Sequence, residues 1–436
     1  MLIKNKICIL FVFLLLSQSL LAGSLKTGNK ERKKSNSEAF TEQVYKRFEK
    51  FQEMMADELY VEARAGLNQL LERRLNSFEV AMVNQYIGWI DANEGKYVDA
   101  AKKFKIAIDS DALVNQAHFG MMIRMAQMYM SGEKYQETLD ILQEYYDGVL
   151  EIEDKTFAFE ANVYVQMKKY KEAIPILIKA IGLSEEPQEK WNYLLYTLYK
   201  QESKYREAAK VMETLISINP DKKDYWKNLS ADYFNLKEDK KSLAVLVLAN
   251  EGGLFDDEKE TVRLWQMYSF LDIPYKAGTV LEKGLRDGVI KPTFKRWEDL
   301  GKTWYTAAEM DNALIAYGEA SKLASDGKID FYRALIYFDR EEWQKTKTAL
   351  VSALEKGGLQ EHDEGKAWML LGMAESELNN ITGAIAALKK AAKSPKSRKS
   401  AYQWIEHLQA TVKQKRRIAE TEKANALERA ANAIDN

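Results

Sequence analysis

Apolar residues recur along most of the chain with the spacing of helices that bury one face, and the arrangement returns about every 35 residues. A small residue marks each repetition, and a large apolar residue follows it four positions later. The small residues are Ala63, Ala100, Thr138, Ala173, Ala208, Ser242, Ala277, Ala313, Thr346 and Ala384. The large residues are Leu67, Phe104, Leu142, Leu177, Met212, Leu246, Leu281, Tyr317, Leu350 and Leu388. Because residues four apart lie on one helical face, each pair predicts a helix with a buried side.

A second small residue often lies twelve positions earlier, and an aromatic residue often follows that one by three positions. The earlier small residues are Gly88, Ala126, Ala161, Ser230, Gly301, Ala334 and Gly372. The aromatic residues are Tyr129, Tyr164, Tyr199, Tyr233, Tyr268, Trp304 and Tyr337. Small side chains let two helices approach closely, so the pattern predicts a hairpin in which helix A crosses helix B at the two small positions. A single hairpin of this size cannot bury its apolar face, so neighbouring hairpins must stack.

The breaks between the predicted helices carry residues that favour turns. Gly95 and Gly132 stand between helices A and B, as does the pair at 379–380, while prolines stand between hairpins, where a helix must end. The prolines are Pro187, Pro220, Pro292 and Pro395.

Some copies depart from the pattern. Phe51, Tyr196 and Trp265 take the small position of helix A, and Asp91 and Glu375 replace the aromatic residue. We expect these repeats to be tilted or more widely spaced.

The repeat resembles the tetratricopeptide repeat over roughly residues 40–394. One copy carries the resemblance in Gly88, Tyr97, Ala100, Phe104 and Ala107, and a later copy in Trp297, Leu300, Gly301, Ala313, Tyr317 and Ala320. The resemblance implies an all-α fold, a right-handed superhelical solenoid of about ten helical hairpins over residues 40–396. Its concave surface, formed by the A helices, would hold a helix or an extended peptide.

The end of the chain predicts a capping helix over residues 397–412. Tyr402, Ile405, Leu408 and Val412 are expected on one helical face that covers the last hairpin. Residues 413–436 favour helix but have a thin apolar stripe, so we expect a charged helical or frayed tail, with a docking helix as the alternative.

A narrower resemblance is carried by the segments 70–90, 273–290 and 394–408, "LLERRLNSFEVAMVNQYIGWI", "IPYKAGTVLEKGLRDGVI" and "SPKSRKSAYQWIEHL". They are similar to exported tetratricopeptide proteins that accompany TonB–ExbB–ExbD energy-transducing systems in marine gamma-proteobacteria. The resemblance implies a periplasmic accessory to TonB-dependent uptake, with TonB, ExbB or ExbD as partners.

The first residues have the features of a secretory signal peptide. Lys4 and Lys6 precede an unbroken apolar run over 7–16, and small residues follow it. We therefore expect a signal peptide over 1–22, cleaved after Ala22, a basic polar linker over 23–39, and a periplasmic protein. An uncleaved inner-membrane anchor is the alternative, although the run is shorter than the roughly 20 residues that a span needs. The single cysteine, Cys8, lies inside this segment, so a mature chain would contain no disulfide.

Composition and charge narrow the function classes. The chain has 436 residues, of which 46% are hydrophobic, and only 6 prolines, so it can bury a large helical core. Its net charge of -1 gives no chain-wide attraction to nucleic acid. Basic runs lie only near the ends, at 26–34 and 413–417, where solvated terminal charge is the simplest interpretation. Contact of the first run with anionic inner-membrane lipid is the alternative.

Motifs for catalysis or metal binding are missing from the sequence. His118, His362 and His407 lie in different repeats, and none has a histidine partner three or four residues away. There is no phosphate-binding glycine loop and no nucleophile motif. We therefore predict no enzyme activity, no metal and no cofactor.

The remaining candidates are helix-A residues that point away from helix B, where amides could satisfy a bound backbone and aromatic rings could bury area. They are Gln85, Trp89, Asn93, Gln127, Asn162, Tyr193, Lys200, Gln201, Lys227, Asn235, Tyr305 and Phe338. Ordinary surface or packing between repeats is the alternative interpretation for each of them.

Three functional hypotheses follow. The first is a periplasmic protein-interaction scaffold that serves a TonB system and binds a protein or peptide segment. The second is a general cell-envelope scaffold, for outer-membrane protein assembly or cell-wall machinery. The third is an envelope hydrolase, which the missing motifs argue against.

Overall fold

The computed structural model describes residues 39–434 and divides into two compact units, one ending at Pro220 and one beginning at Asp221. We call them unit 1 and unit 2. All regular structure in the described range is α-helix. The predicted signal peptide, and all but the last residue of the predicted linker, lie outside the described residues.

The helices of unit 1 are α1 (Glu42–Ala56), α2 (Tyr60–Leu71), α3 (Ser77–Asn93), α4 (Tyr97–Asp109), α5 (Asn115–Ser131), α6 (Tyr135–Gly148), α7 (Asp154–Gln166), α8 (Tyr170–Leu183), α9 (Glu189–Gln201) and α10 (Tyr205–Ile218). Those of unit 2 are α11 (Lys223–Asn235), α12 (Asp239–Glu251), α13 (Glu258–Phe270), α14 (Pro274–Arg286), α15 (Phe294–Thr306), α16 (Met310–Leu323), α17 (Lys328–Asp339), α18 (Trp343–Lys356), α19 (Glu361–Glu377), α20 (Ile381–Ala391) and α21 (Arg398–Ile434).

Consecutive helices pair into hairpins, and the predicted number of hairpins is confirmed over the described range. Each odd-numbered helix from α1 to α19 is a helix A, and the helix after it is its helix B. Within each unit, helix B of one hairpin also packs against helix A of the next. Each unit is therefore a stack of five antiparallel hairpins, and the predicted all-α solenoid is confirmed in this form.

The small residues lie where the two helices of a hairpin cross, as predicted. All ten small helix-B residues are fully buried. A Cβ atom added to Gly88 would lie 2.7 Å from the Phe104 ring and 3.2 Å from the Ala100 carbonyl oxygen. In another hairpin, the Ser242 hydroxyl donates to the Ser230 carbonyl oxygen at 2.9 Å. Backbones this close leave no room for larger side chains, which explains the spacing in the sequence.

The turn inside every hairpin has one backbone feature that the residue types did not predict. The residue five positions before each small helix-B residue has a positive φ. These residues are Glu58, Gly95, Glu133, Lys168, Ser203, Lys237, Asp272, Ala308, Glu341 and Asn379. In the turn at Gly95, the Lys96 N–H donates to the Asp91 carbonyl oxygen at 2.8 Å and the Gly95 N–H to that of Ala92 at 3.0 Å. This is a Schellman arrangement, which ends helix A and starts the reversal.

Large residues at the small helix-A position are accommodated by neighbouring changes. The ring of Phe51 occupies the space beside Gly66, where an added Cβ atom would lie 2.0 Å from it. The Trp265 indole N–H donates to the Thr303 hydroxyl of the next hairpin at 3.1 Å. At Phe51, the large ring of helix A is thus matched by a residue without a side chain, Gly66, on helix B.

The acidic substitutions form ion pairs between hairpins. Asp91 of α3 is buried and pairs with Arg64 of α2 at 2.7 Å. Glu375 of α19 is buried and pairs with Lys347 of α18 at 3.1 Å. Both cations directly follow the small residue of the preceding helix B. The helix-A position that usually holds an aromatic residue therefore holds a carboxylate in the two hairpins where this neighbouring helix-B residue is a cation.

The C-terminal helix α21 covers the last hairpin, as the fold prediction expected. Ile405 and Leu408 are buried against Ala384 and Leu388 of α20. The predicted apolar face was wrong in two members, because Tyr402 is 56% and Val412 43% exposed. Ala401 is buried instead of Tyr402, since one residue along a helix rotates a side chain by about 100°.

Candidate functional site

The twelve predicted binding residues all lie on A helices, and they divide between the two units. Unit 1 holds Gln85, Trp89 and Asn93 on α3, Gln127 on α5, Asn162 on α7, and Tyr193, Lys200 and Gln201 on α9. Unit 2 holds Lys227 and Asn235 on α11, Tyr305 on α15 and Phe338 on α17. Asn93, Tyr193, Gln201, Asn235 and Tyr305 are exposed, and the others are partly buried. We call the outward side of the A helices the A face.

The A face of unit 1 contains a line of stacked groups that crosses three hairpins. On α3, the rings of Tyr86 and Trp89 are stacked, with centroids 6.1 Å apart and an interplanar angle of 12°. The Arg124 guanidinium of α5 lies 5.2 Å from the centre of the Trp89 ring. On the other side, the Gln52 side-chain amide of α1 donates to the Tyr86 hydroxyl at 2.6 Å. Trp89 is therefore held between an aromatic ring and a cation.

Arg124 is the cation of this line, and no carboxylate of the described residues lies within ion-pair distance of it. Arg124 is exposed as a residue, but its guanidinium is partly desolvated by its surroundings, which lowers the pKa of this group from its usual value. An arginine keeps its charge at any ordinary pH, so the positive charge persists without compensation. A guanidinium stacked on a ring presents its N–H groups at its edge, where a carboxylate of a bound segment could accept two of them.

The residues predicted from the sequence include Trp89 but not Tyr86 or Arg124. Both occupy the position two residues before the small residue of helix A, Gly88 and Ala126 respectively. A comparison of that position across the repeats could have found them.

The last A helix of unit 1 carries a second group of rings and a cation. Tyr193 and Tyr196 lie with ring centroids 6.0 Å apart, and Tyr193 is 44% exposed. The Lys200 ammonium lies 4.6 Å from the ring of Tyr205 and 5.9 Å from that of Tyr196. Rings and cations thus recur together on this face.

In unit 2, two of the four predicted residues serve the packing of the unit itself. Lys227 lies 3.0 Å from Asp224 and 3.5 Å from Glu260, and these carboxylates raise the pKa of the ammonium, chiefly through the hydrogen bond to Asp224. Glu260 is buried, so the lysine compensates a carboxylate inside the unit. Phe338 packs edge-on against Trp343, with ring centroids 5.4 Å apart.

Unit 2 also exposes aromatic residues that sequence reasoning missed. Phe270 is 62% and Phe234 41% exposed, and their rings are in edge contact at 5.9 Å. Tyr305, which was predicted, is 48% exposed in the following hairpin. All three lie in the last turn of an A helix. A comparison of that position across the repeats could therefore have found Phe234 and Phe270 from the sequence.

A polar cleft of about 290 Å³ between α6 and α7 contains Glu160, a partly buried acid. The Tyr146 hydroxyl donates to the Glu160 carboxylate at 2.8 Å, and the Tyr146 ring stacks on Phe157 at 5.4 Å. Burial raises the pKa of Glu160. Paired-carboxylate hydrolysis needs a second acid across a substrate, and the other carboxylate lining this cleft, Asp140, is exposed and accepts a hydrogen bond from Gln136. The contact is therefore a hydrogen bond from Tyr146 to Glu160 that joins α6 to α7.

Within residues 39–434, no three histidine, cysteine, aspartate or glutamate side chains come together as a metal site would require. None of the helices in this range is both long and apolar enough to cross a bilayer.

Two segments match the family model of the tetratricopeptide repeat, residues 155–187 and 365–397. The first is the hairpin α7–α8 in unit 1, and the second begins within α19 and continues past α20 in unit 2. Each unit therefore contains a tetratricopeptide repeat, and the predicted resemblance is confirmed for these copies. No curated protein matched the chain.

Solved structures of several repeat proteins are similar to parts of the chain. A tetratricopeptide repeat protein from Parabacteroides merdae is 15% identical over 56% of this chain and 94% of its own, with a TM-score of 0.33. The C-terminal part of a repeat protein from Cytophaga hutchinsonii is 14% identical over 63% of this chain and 95% of its own, with a TM-score of 0.35. YrrB, a tetratricopeptide protein with an unusual peptide-binding site, is 17% identical over 41% of this chain and 89% of its own, with a TM-score of 0.32. Likeness at this level carries no information about function.

Proposed function

We propose that the chain is a protein-interaction scaffold that binds a segment of a partner protein on the A face of unit 1. The observation that carries the proposal is the Arg124 guanidinium, which lies on the Trp89 ring with no carboxylate beside it. A partner segment would bury the indole and place an acidic group or a C-terminal carboxylate against the arginine. Partly exposed tryptophan and arginine side chains are the residue types that contribute most to binding when an interface covers them.

The wider role that we propose is that of a periplasmic accessory to a TonB-dependent energy-transduction system. It is supported by the signal-like residues 1–22 and by the sequence similarity of the segments 70–90, 273–290 and 394–408. TonB, ExbB and ExbD are the partners that this role implies. A general scaffold for envelope assembly is the alternative, and it would use the same face for other partners.

Arg124→Glu is expected to weaken capture of the partner by at least about tenfold, because it removes an attractive charge and adds a repulsive one. Trp89→Ala is expected to weaken it by a similar factor through lost buried area. Capture is measured after crosslinking in living cells that express each variant, by quantifying the proteins that copurify with it. Arg73→Glu, at an exposed position beyond the end of α2, is the matched charge control and should capture as much as the unchanged protein.

The same experiment separates the two roles. TonB, ExbB or ExbD among the captured proteins would support the energy-transduction role. Their absence from a set that still depends on Arg124 would remove that role and leave the envelope scaffold. Equal capture by Arg124→Glu and the unchanged protein would exclude this face as the binding site.

A further inference from the structure

Three successive A helices of unit 2 share an arrangement of charge and rings. Each of α13, α15 and α17 has a lysine in its first turn and an aromatic residue in its last. The lysines are Lys259, Lys295 and Lys328, and the aromatic residues are Phe270, Tyr305 and Phe338. We call the first set the lysine row and the second the aromatic row. Phe234 of α11 extends the aromatic row by one hairpin through its contact with Phe270.

The two rows lie along opposite edges of one face. Because successive helices of the stack run antiparallel, the A helices run parallel to one another, so their first turns follow one edge and their last turns the other. In each helix, ten or eleven positions separate the lysine from the aromatic residue. At 1.5 Å per residue, the rows are about 15 Å apart.

The lysine row keeps positive charge that the unit does not neutralise. Lys259 and Lys328 have no carboxylate of the described residues within ion-pair distance, whereas Lys295 pairs with Asp299 at 2.9 Å. The first turn of a helix is also where the helix dipole disfavours a cation. Pairing within its own helix, with Glu298 at 3.4 Å and Asp299 at 2.9 Å, accounts for Lys295. Local helix stability does not account for Lys259 or Lys328.

A cleft of about 480 Å³ opens beside the lysine row, between α13 and α15. Lys259, Arg263 and Arg296 line it, with Glu258 as the carboxylate among its lining residues. Glu258 is already engaged by Arg296, at 3.3 Å. Arg263 also has a carboxylate partner, Glu260, at 3.5 Å. Lys259 is therefore the cation of this cleft that is available to additional negative charge from outside.

Two of the three members of the aromatic row are exposed apolar surface, whereas Phe338 is partly buried against Trp343. Phe270 and Tyr305 are 62% and 48% exposed, although both are large rings on a unit with a well-filled interior. A row of exposed rings rimmed by polar groups is typical of a surface that another protein covers.

We propose that this face of unit 2 binds an amphipathic, acidic α-helix of a partner protein. The helix would lie along the stack between the two rows, with its acidic side toward the lysine row and its apolar side on the aromatic row. A helix with its side chains is about 10–12 Å across, which suits rows about 15 Å apart, whereas the backbone of a single strand is too narrow to reach both. The site lies in unit 2 and does not depend on the function proposed for unit 1.

The test uses the full-length protein and a fluorescent synthetic helix of roughly 18 residues, or five turns, with glutamates along one side and leucines along the other. Binding is followed by fluorescence anisotropy. We expect saturable binding that weakens as salt rises, because the lysine row contributes by charge. The same peptide with lysines in place of the glutamates should bind at least about tenfold more weakly.

Variants assign the binding to the two rows. Lys259→Glu combined with Lys328→Glu, and separately Phe270→Ala combined with Tyr305→Ala, should each weaken binding at least about tenfold. Lys283→Glu and Leu248→Ala change exposed residues on helices α14 and α12 and should leave binding unchanged. Arg124→Glu should also leave it unchanged, which separates this site from that of unit 1. Circular dichroism confirms that each variant is folded.

Three outcomes would overturn the proposal. The first is no binding of the acidic helix, and the second is equal binding of the acidic and basic peptides. The third is binding of the unchanged protein to vesicles of anionic lipid in place of the peptide, since a membrane would then be the partner of the lysine row.

Discussion

Replacing Asp330 by alanine is expected to lower the free energy of unfolding of unit 2 by about 3–5 kcal/mol, the cost of breaking a buried ion pair from one side. Asp330 is fully buried in α17. Its carboxylate accepts from the Lys356 ammonium at 2.7 Å and from the Arg333 guanidinium at 3.0 Å. The hydroxyls of Ser321 and Ser352 donate to it at 2.6 and 3.0 Å. Without the carboxylate, two cations would face each other across a polar site with no anion between them.

Urea denaturation and hydrogen exchange of the α17 amides measure this effect. Asp311→Ala is the matched control, because Asp311 pairs with Arg340 at 2.6 Å but is 82% exposed. That pair should contribute less than about 1 kcal/mol. Equal losses in the two variants would show that the buried network does not stabilise unit 2.

The effect of Asp330 should also depend on pH. Burial opposes ionisation of this carboxyl, but hydrogen bonds from Lys356, Ser321 and Ser352 outweigh it and hold the pKa below its usual value. A carboxyl whose pKa is lowered by folding contributes its full stability above the unfolded pKa of about 3.9 and loses it as pH falls through the lower folded value. The difference between the unchanged protein and Asp330→Ala should therefore be constant near neutral pH and shrink below about pH 4.

The second large effect is expected at Gly301, where α15 crosses α16. A Cβ atom there would lie 2.4 Å from the ring of Tyr317, which is 3% exposed and packed on all sides. Gly301→Leu should therefore destabilise unit 2 by about 3 kcal/mol, because neither the ring nor the backbone can move away without opening the crossing.

A glycine on the partner helix of the same hairpin gives the control. An added Cβ atom at Gly318 of α16 meets nothing within 4 Å. Gly318→Ala should therefore raise stability by roughly 0.5–1 kcal/mol through helix propensity. Thermal and urea denaturation compare the two variants, and a neutral Gly301→Leu would contradict the steric account of the repeat.

The hairpins could be predicted because steric exclusion acts through single residues at fixed spacing. A small residue such as Ala100 or Gly301 indicates a helix crossing by itself, so the crossing can be predicted without knowing which residues surround it. The turns are different. Glu133 and Ala308 adopt a positive φ because the Schellman hydrogen bonds require it, and neither residue type indicates that conformation. The division after Pro220 is also absent from the repeat pattern, which continues across it with the same spacing.

The binding faces could be predicted only in outline. Helical spacing placed Trp89 and Tyr305 on the outward side of their helices, because that depends on one helix alone. The partners of a side chain depend on the register between helices. Arg124 contacts Trp89 from the next hairpin, and Lys227 forms an ion pair with Glu260, which also lies in the next hairpin. Neither pairing follows from spacing along the chain.

The most direct measurement of whether the A face binds partner proteins is photo-crosslinking in living cells from single positions. A photoreactive residue placed at Gln127 or at Tyr305 should give discrete adducts with other proteins, one for each unit. The same residue at Ile106 or Leu248, exposed on helices B, should give few adducts. Adducts that form from the helix-B positions and not from Gln127 or Tyr305 would contradict binding on the A face.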